Sequence, residues 1–203
     1  MSGAHKRKSP VRSFASFHAA SARDAIGELA PGDEVFGMTS GNFGLMDILA
    51  HIIDQAEATH CVLCTWTAAE KSVAEFLDMV RAAKLRDLRV IADPSLVTRK
   101  PEIADAMFAA YGGDSIRLVP LHAKWAVLTG GAMPVTLRTS MNLNHNKRIE
   151  SFEISTCQQM ADYHVAIADD IFRNAPAVPV ASRQSQSQRV LDVIQPREKL
   201  VLF

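Results

Sequence analysis

The chain lacks an excess of charge of either sign: 22 lysines and arginines face 22 aspartates and glutamates over 203 residues. Bulk electrostatics therefore announce neither a nucleic-acid nor a membrane partner, and any such partner has to be recognised locally. No apolar run approaches the roughly 20 residues that cross a bilayer, and the N-terminal segment has no apolar stretch of the signal-peptide kind. The expectation is a cytoplasmic protein with no membrane partner. Only three cysteines are present, Cys61, Cys64 and Cys157, which excludes a disulfide framework. Cys61 and Cys64 fall in HCVLCTW, which reads as a strand. Residues three apart on a strand point to opposite faces, and no second pair completes a zinc site, so both are expected to pack in the core.

What is present is enough hydrophobic sequence, 48%, to bury one substantial core. Residues 1–13, MSGAHKRKSPVRS, carry Lys6, Arg7, Lys8, Arg12 and His5 with no acid, and read as a disordered basic arm. The ordered domain is expected over 14–174. From 175 to 203 the composition turns to Pro, Ser and Gln, as in NAPAVPVASRQSQSQRV, and reads as a linker and tail.

Within the domain, SARDAIGELA has helical spacing and EVFGMT reads as a strand. Leu45, Ile48, Leu49, Ile52 and Ile53 share one helical face. After the strand HCVLCTW, Thr67 and Glu70 have capping-box spacing ahead of the helix AAEKSVAEFLDMVRAAK. LRVIAD is a further strand, and PEIADAMFAAYGG a helix that stops at paired glycines. This alternation implies parallel strands with crossover helices. From residue 115 it gives way to SIRLVP, LHAKWAVL, PVTLRTS and IESFEIS, a cluster suited to hairpins or neighbouring central strands. A helix over roughly 157–173 closes the domain. The expected class is α/β, a mixed and largely parallel central sheet flanked by helices on both faces.

LHAKWAVL, residues 121–128, poses the functional question. Read as a strand, it places His122 and Lys124 on one face, where both need anions or hydrogen-bonding partners. Downstream, TLRTSMNLNHNKRIESFEIS supplies Ser140, Asn142, Glu150 and Glu153. Hydroxyl, carboxamide, ammonium and imidazole converging at the ends of adjacent strands would suit a tetrahedral oxyanion. His145, between Asn144 and Asn146, reads as a solvated or phosphate-contacting loop residue, not a metal ligand. SGNFG before a helix lacks the full P-loop pattern and reads as a tight strand-to-helix turn. Trp66 and Trp125 read as core residues.

H-x-K in a strand, then a small-Ser-x-Asn segment and a carboxylate, resembles the phospholipase D superfamily, whose pattern is H-x-K-x4-D followed by G-S-x-N. The matches are His122, Lys124, Ser140 and Asn142; the order of strands and helices from about 12 to 174 also fits. Thr129 stands at the Asp position and Thr139 at the Gly before the serine. The resemblance implies a phospholipase D-like fold in which His122 attacks phosphorus to form a phosphohistidine. Lys124 and Asn142 would hold the non-bridging oxygens, with Ser140 supporting the loop or the phosphate. A carboxylate would orient the histidine. Glu150 and Glu153 are both candidates; they lie on opposite strand faces, and the NxNxxRIE stretch, similar to prophage-type members, favours Glu150. The family chemistry uses two histidines and this chain has a single HxK, so the resemblance implies a homodimer that brings in a second His122. It implies no metal and no cofactor. The leading expectation is a nuclease-like phosphodiesterase acting on nucleic acid, gripped by Lys147, Arg148 and the basic arm. The alternative is a degenerate module that binds phosphodiesters or nucleic acid, or assembles, without turnover.

Overall fold

The computed structural model describes residues 11–82, 85–144 and 147–178. The first ten residues of the basic arm, His145, and the tail beyond residue 178 lie outside the described residues.

The elements follow the chain as β1 (Val11–Phe14), α1 (Ala22–Ile26), β2 (Asp33–Thr39), α2 (Leu45–Ala56), β3 (His60–Thr65), α3 (Glu70–Ala82), β4 (Asp87–Ala92), α4 (Ser95–Arg99), α5 (Pro101–Tyr111), β5 (Ile116–Leu118), β6 (Trp125–Thr129), β7 (Val135–Thr139), β8 (Glu150–Ser155) and α6 (Gln158–Asn174). The strands form one eight-stranded sheet in the order β1-β2-β8-β7-β6-β3-β4-β5. The β1/β2, β3/β4 and β4/β5 contacts are parallel, whereas β2/β8, β8/β7, β7/β6 and β6/β3 are antiparallel. Among the described residues only β6 and β8 run against the other six strands. The sheet is mixed, as expected, but a largely parallel sheet holds only for strand direction: four of the seven neighbour contacts are antiparallel. The reason is that β6 and β8 each insert between two strands of the opposite direction.

Helices cover both faces unequally. Helices α1 to α5 pack on one face, where Ile48, Leu49 and Ile52 are fully buried against Leu63, Leu128, Leu137 and Ile154. The five apolar residues of the α2 stripe are all at most 4% exposed, as their spacing requires. An Asp47 carboxylate oxygen accepts from the Gly44 amide at 2.8 Å and satisfies one of the amides at the start of α2. On the second face α6 is the one helix among the described residues that covers Val62, Cys64, Ile91, Trp125 and Val127. Cys61 and Cys64 thus enter opposite layers, as the strand period dictates. Over β1 and β2 no helix among the described residues covers that second face, and Phe14, Phe36 and Met38 are exposed.

Three local expectations are corrected. Residues 11–13 of the expected arm belong to β1, because Val11–Phe14 finds a parallel partner in Asp33–Phe36. Helix α3 begins at Glu70, so Thr67 and Glu70 form no capping box. Thr67 instead offers its carbonyl to the Leu143 amide at 3.2 Å, which ties the end of β3 to the segment after β7. Finally, β6 begins at Trp125, so His122 and Lys124 precede the strand.

Candidate active site

The carboxyl ends of β2, β3, β4 and β7 and the amino ends of β6 and β8 share one edge of the sheet. Open α/β sheets collect ligands at such an edge. The segment Leu121–Lys124 crosses it without joining the ladder, held at both ends. The Leu121 amide donates to Asp93 Oδ2 at 3.0 Å, and the Thr139 amide donates to the Lys124 carbonyl at 3.0 Å. Burial raises the Asp93 carboxyl, but hydrogen bonds from Ser95 and from the Leu121 and Ser95 amides, with Arg99 nearby, bring it below the ordinary carboxylate range. Asp93 therefore fixes the approach to β6 as a carboxylate. Sequence reading had no signal for it beyond its position at the end of a strand.

His122 and Lys124 differ in environment. His122 is exposed, whereas Lys124 is only 9% exposed. The Lys124 ammonium donates to the His122 carbonyl at 2.7 Å and lies 3.3 Å from both ring nitrogens. Desolvation pushes the Lys124 amine below its usual value, and the charge of Glu150, followed by that of Cys64, opposes the shift. Trp66 closes the other side: its ring lies 5.2 Å from the His122 ring, and the Lys124 ammonium is 5.7 Å from its centroid. Trp66 is half-buried and belongs to this edge, a correction to its expected core role. Trp125 is in the core as expected, edge-on to His164.

Ser140 and Glu150 form a second group. The Ser140 hydroxyl donates to Glu150 Oε2 and accepts from the Ser151 amide at 2.9 Å. Glu150 shares its strand face with Phe152 and Ile154, the face that meets α2, and lines a small recess with Phe43, Gly44, Met141 and Asn144. The SGNFG segment that contributes this recess is the turn its sequence predicts. Gly41 has φ +93°, and a Cβ there would lie 2.9 Å from the Lys147 carbonyl carbon, so glycine admits the chain leading into β8.

Asn142 commits its side-chain oxygen to the Thr67 amide at 3.3 Å, and so stands beside Trp66. Among the described residues no hydrogen bond joins Ser140 or Asn142 to His122 or Lys124. The link between the groups is the Lys124–Glu150 attraction and the Thr139–Lys124 backbone bond. Glu153 lies apart: it pairs with Arg138 on the opposite, solvent-facing side of the sheet. It does not reach this edge, so of the two carboxylates only Glu150 does. Thr129 is also remote. It pairs with His60 at the other end of β6, about 13 Å of strand beyond Trp125 at roughly 3.3 Å per residue.

Arg99 and Lys100 went unnoticed in the sequence because they sit in an ordinary-looking junction between two helices. Arg99 lies 5.3 Å over the Trp66 ring. Together with Thr67, Ser95 and Leu96 these three residues line a groove of about 160 Å³ beside His122. Among the described residues no three His, Cys, Asp or Glu side chains gather as metal ligands would.

No family model matches the chain, and no curated protein matches it by sequence. Solved structures with a similar chain path include Nuc, a phospholipase D family member from Salmonella typhimurium, at 16% identity and a TM-score of 0.49, covering 71% of this chain and 97% of Nuc. TrmBL2, an archaeal chromatin protein with a novel mode of DNA binding, matches at 10% identity and a TM-score of 0.45, over 66% of this chain and 52% of its own. Polyphosphate kinase from Porphyromonas gingivalis matches at 16% identity and a TM-score of 0.46, over 75% of this chain and 27% of the kinase. The chain spans about half of the archaeal protein and about a quarter of the kinase.

Proposed function

We propose that the protein is a nuclease-like phosphodiesterase of the phospholipase D superfamily that uses His122 as its nucleophile and needs no metal. The observation that carries this reading is the placement of a buried ammonium, Lys124, against an exposed imidazole, His122, with Glu150 held to Ser140 by a hydrogen bond at the same sheet edge. An imidazole nitrogen attacks phosphorus, and the bond to one ester oxygen breaks. That oxygen takes a proton from a second histidine, the partner subunit's His122 in a two-fold dimer. Water, losing its proton to the second histidine, then displaces His122 and leaves a phosphomonoester. Lys124 supplies positive charge to the non-bridging oxygens from a desolvated position, where it acts most strongly. Ser140 and Asn142 line the approach, and Lys147 and Arg148 grip the flanking backbone. Ile149, exposed and next to Glu150 in the chain, gives the second copy an apolar contact beside the site.

A second reading has one observation in its favour. Among the described residues the His122 ring nitrogens meet only the Lys124 ammonium, and no carboxylate orients them. That suits a module which binds phosphodiesters without turnover. The two readings separate in one experiment: incubation with DNA, RNA and a generic phosphodiester in EDTA, beside a His122→Ala control. Cleavage that persists in EDTA and vanishes in the control supports the enzyme. Binding without cleavage supports the module.

A further inference from the structure

The groove beside His122 is unlike the rest of this edge in chemistry. Its lining is aromatic and aliphatic at Trp66 and Leu96 and cationic at Arg99 and Lys100, with Thr67 and Ser95 at hand. No carboxylate lines it, although Asp93 lies close enough to Arg99 to feel its charge. Lys100 is anchored, its ammonium donating to the Ala68 carbonyl at 3.4 Å, whereas Arg99 is exposed, lies over the Trp66 ring and makes no side-chain hydrogen bond among the described residues. A guanidinium so placed is free to turn away when another planar group offers to stack.

We infer that this groove is a subsite for one unpaired nucleotide flanking the scissile phosphodiester, so that the substrate is single-stranded nucleic acid. The inference rests on the reading that His122 faces a phosphodiester chain. The base stacks on the Trp66 indole, taking the place of the Arg99 guanidinium, which turns to the adjacent phosphate, while Lys100 adds its charge from its anchored position. Stacking of this kind tolerates any base and is repaid by the aromatic face, while paired cations follow the backbone. A duplex cannot use the site, because its base faces are already stacked on one another. Trp66 both lines the groove and lies 5.2 Å from the His122 ring, so a base lodged there sets the position of the next phosphate.

The test is binding, read apart from turnover. Fluorescence anisotropy of labelled dodecathymidylate, of an abasic strand with the same number of phosphates, and of a blunt duplex of the same length would be followed on His122→Asn protein. Dodecathymidylate should bind about tenfold more tightly than the abasic strand, and adding Trp66→Ala should remove that preference. Trp66→Phe should keep most of it, and Arg99→Gln, at an exposed position, should weaken both single strands. A preference for bases that survives Trp66→Ala, or a duplex bound as tightly as dodecathymidylate, would overturn the subsite. Absence of cleavage by the unsubstituted protein, with Trp66-dependent binding intact, would sink the phosphodiesterase reading and leave the subsite standing.

Discussion

The Lys124 ammonium lies 2.7 Å from the carbonyl oxygen of His122 and 3.3 Å from each nitrogen of the same residue's ring. The side chain thus folds back over the residue two positions before it. Such a contact is out of reach between neighbours on one face of a regular strand, where side chains stand parallel. The contact forms where the segment precedes β6 and stands outside the ladder.

His122→Asn should lower phosphodiester cleavage about a thousandfold or more while leaving affinity for a single strand within about threefold. Steady-state rates and anisotropy on the same preparations check both halves. A variant that cleaves normally removes His122 from the chemistry.

Lys124→Met should abolish turnover and yet stabilise the fold by about 1 kcal/mol, since a desolvated ammonium is replaced by an apolar chain of similar length. The pH dependence follows from the lowered pKa. Between the depressed native value and the usual 10.5, the unfolded chain binds more protons than the native one, so stability rises with pH across that window. Below it the penalty is fully present. Urea melts at rising alkaline pH should show the increment in the parent and not in Lys124→Met.

Glu150→Gln and Glu153→Gln should behave oppositely. The first removes the charge that supports the Lys124 ammonium, so it should cut activity and shift the alkaline limb of the pH profile to lower pH. The second breaks a solvent-exposed pair with Arg138, should change stability by no more than about 1 kcal/mol and should spare activity. Equal losses in both would contradict the assignment of Glu150 to the site.

Native-state thiol titration should show one readily modified cysteine, Cys157, which is partly exposed. Cys61 and Cys64 are buried, and desolvation pushes each thiol up to about 12, so both should react only on unfolding. Mass mapping of the labelled residues settles which thiol reacts.

Gly131→Ala should destabilise the protein by about 2 kcal/mol or more. The Ala132 amide donates to the Ala56 carbonyl at 2.8 Å, which brings the β6–β7 turn against the end of α2. A Cβ at residue 131 would lie 2.1 Å from that carbonyl oxygen and 2.4 Å from the one of Glu57. Thermal melts of the variant measure the cost.

Local periodicity is written in the sequence, and it sufficed for much of the chain. The α2 stripe, the division of Cys61 and Cys64 between two layers, and the opposed faces of Glu150 and Glu153 follow from the 3.6- and two-residue repeats alone. His122 and Lys124 could be singled out because polar groups inside an apolar run are costly and invite an explanation, and Ser140, Asn142 and Glu150 by their place at strand ends downstream and by the motif they resemble. Pairing between distant segments has no local signature. That β6 and β8 run against their neighbours, that Asp93 accepts from the Leu121 amide, that Glu153 answers Arg138, and that Arg99 arrives over Trp66 from a junction 33 residues further on were decided only when the sheet assembled. These contacts join residues far apart in the chain, and their energies depend on which partners the whole fold brings within a few ångströms.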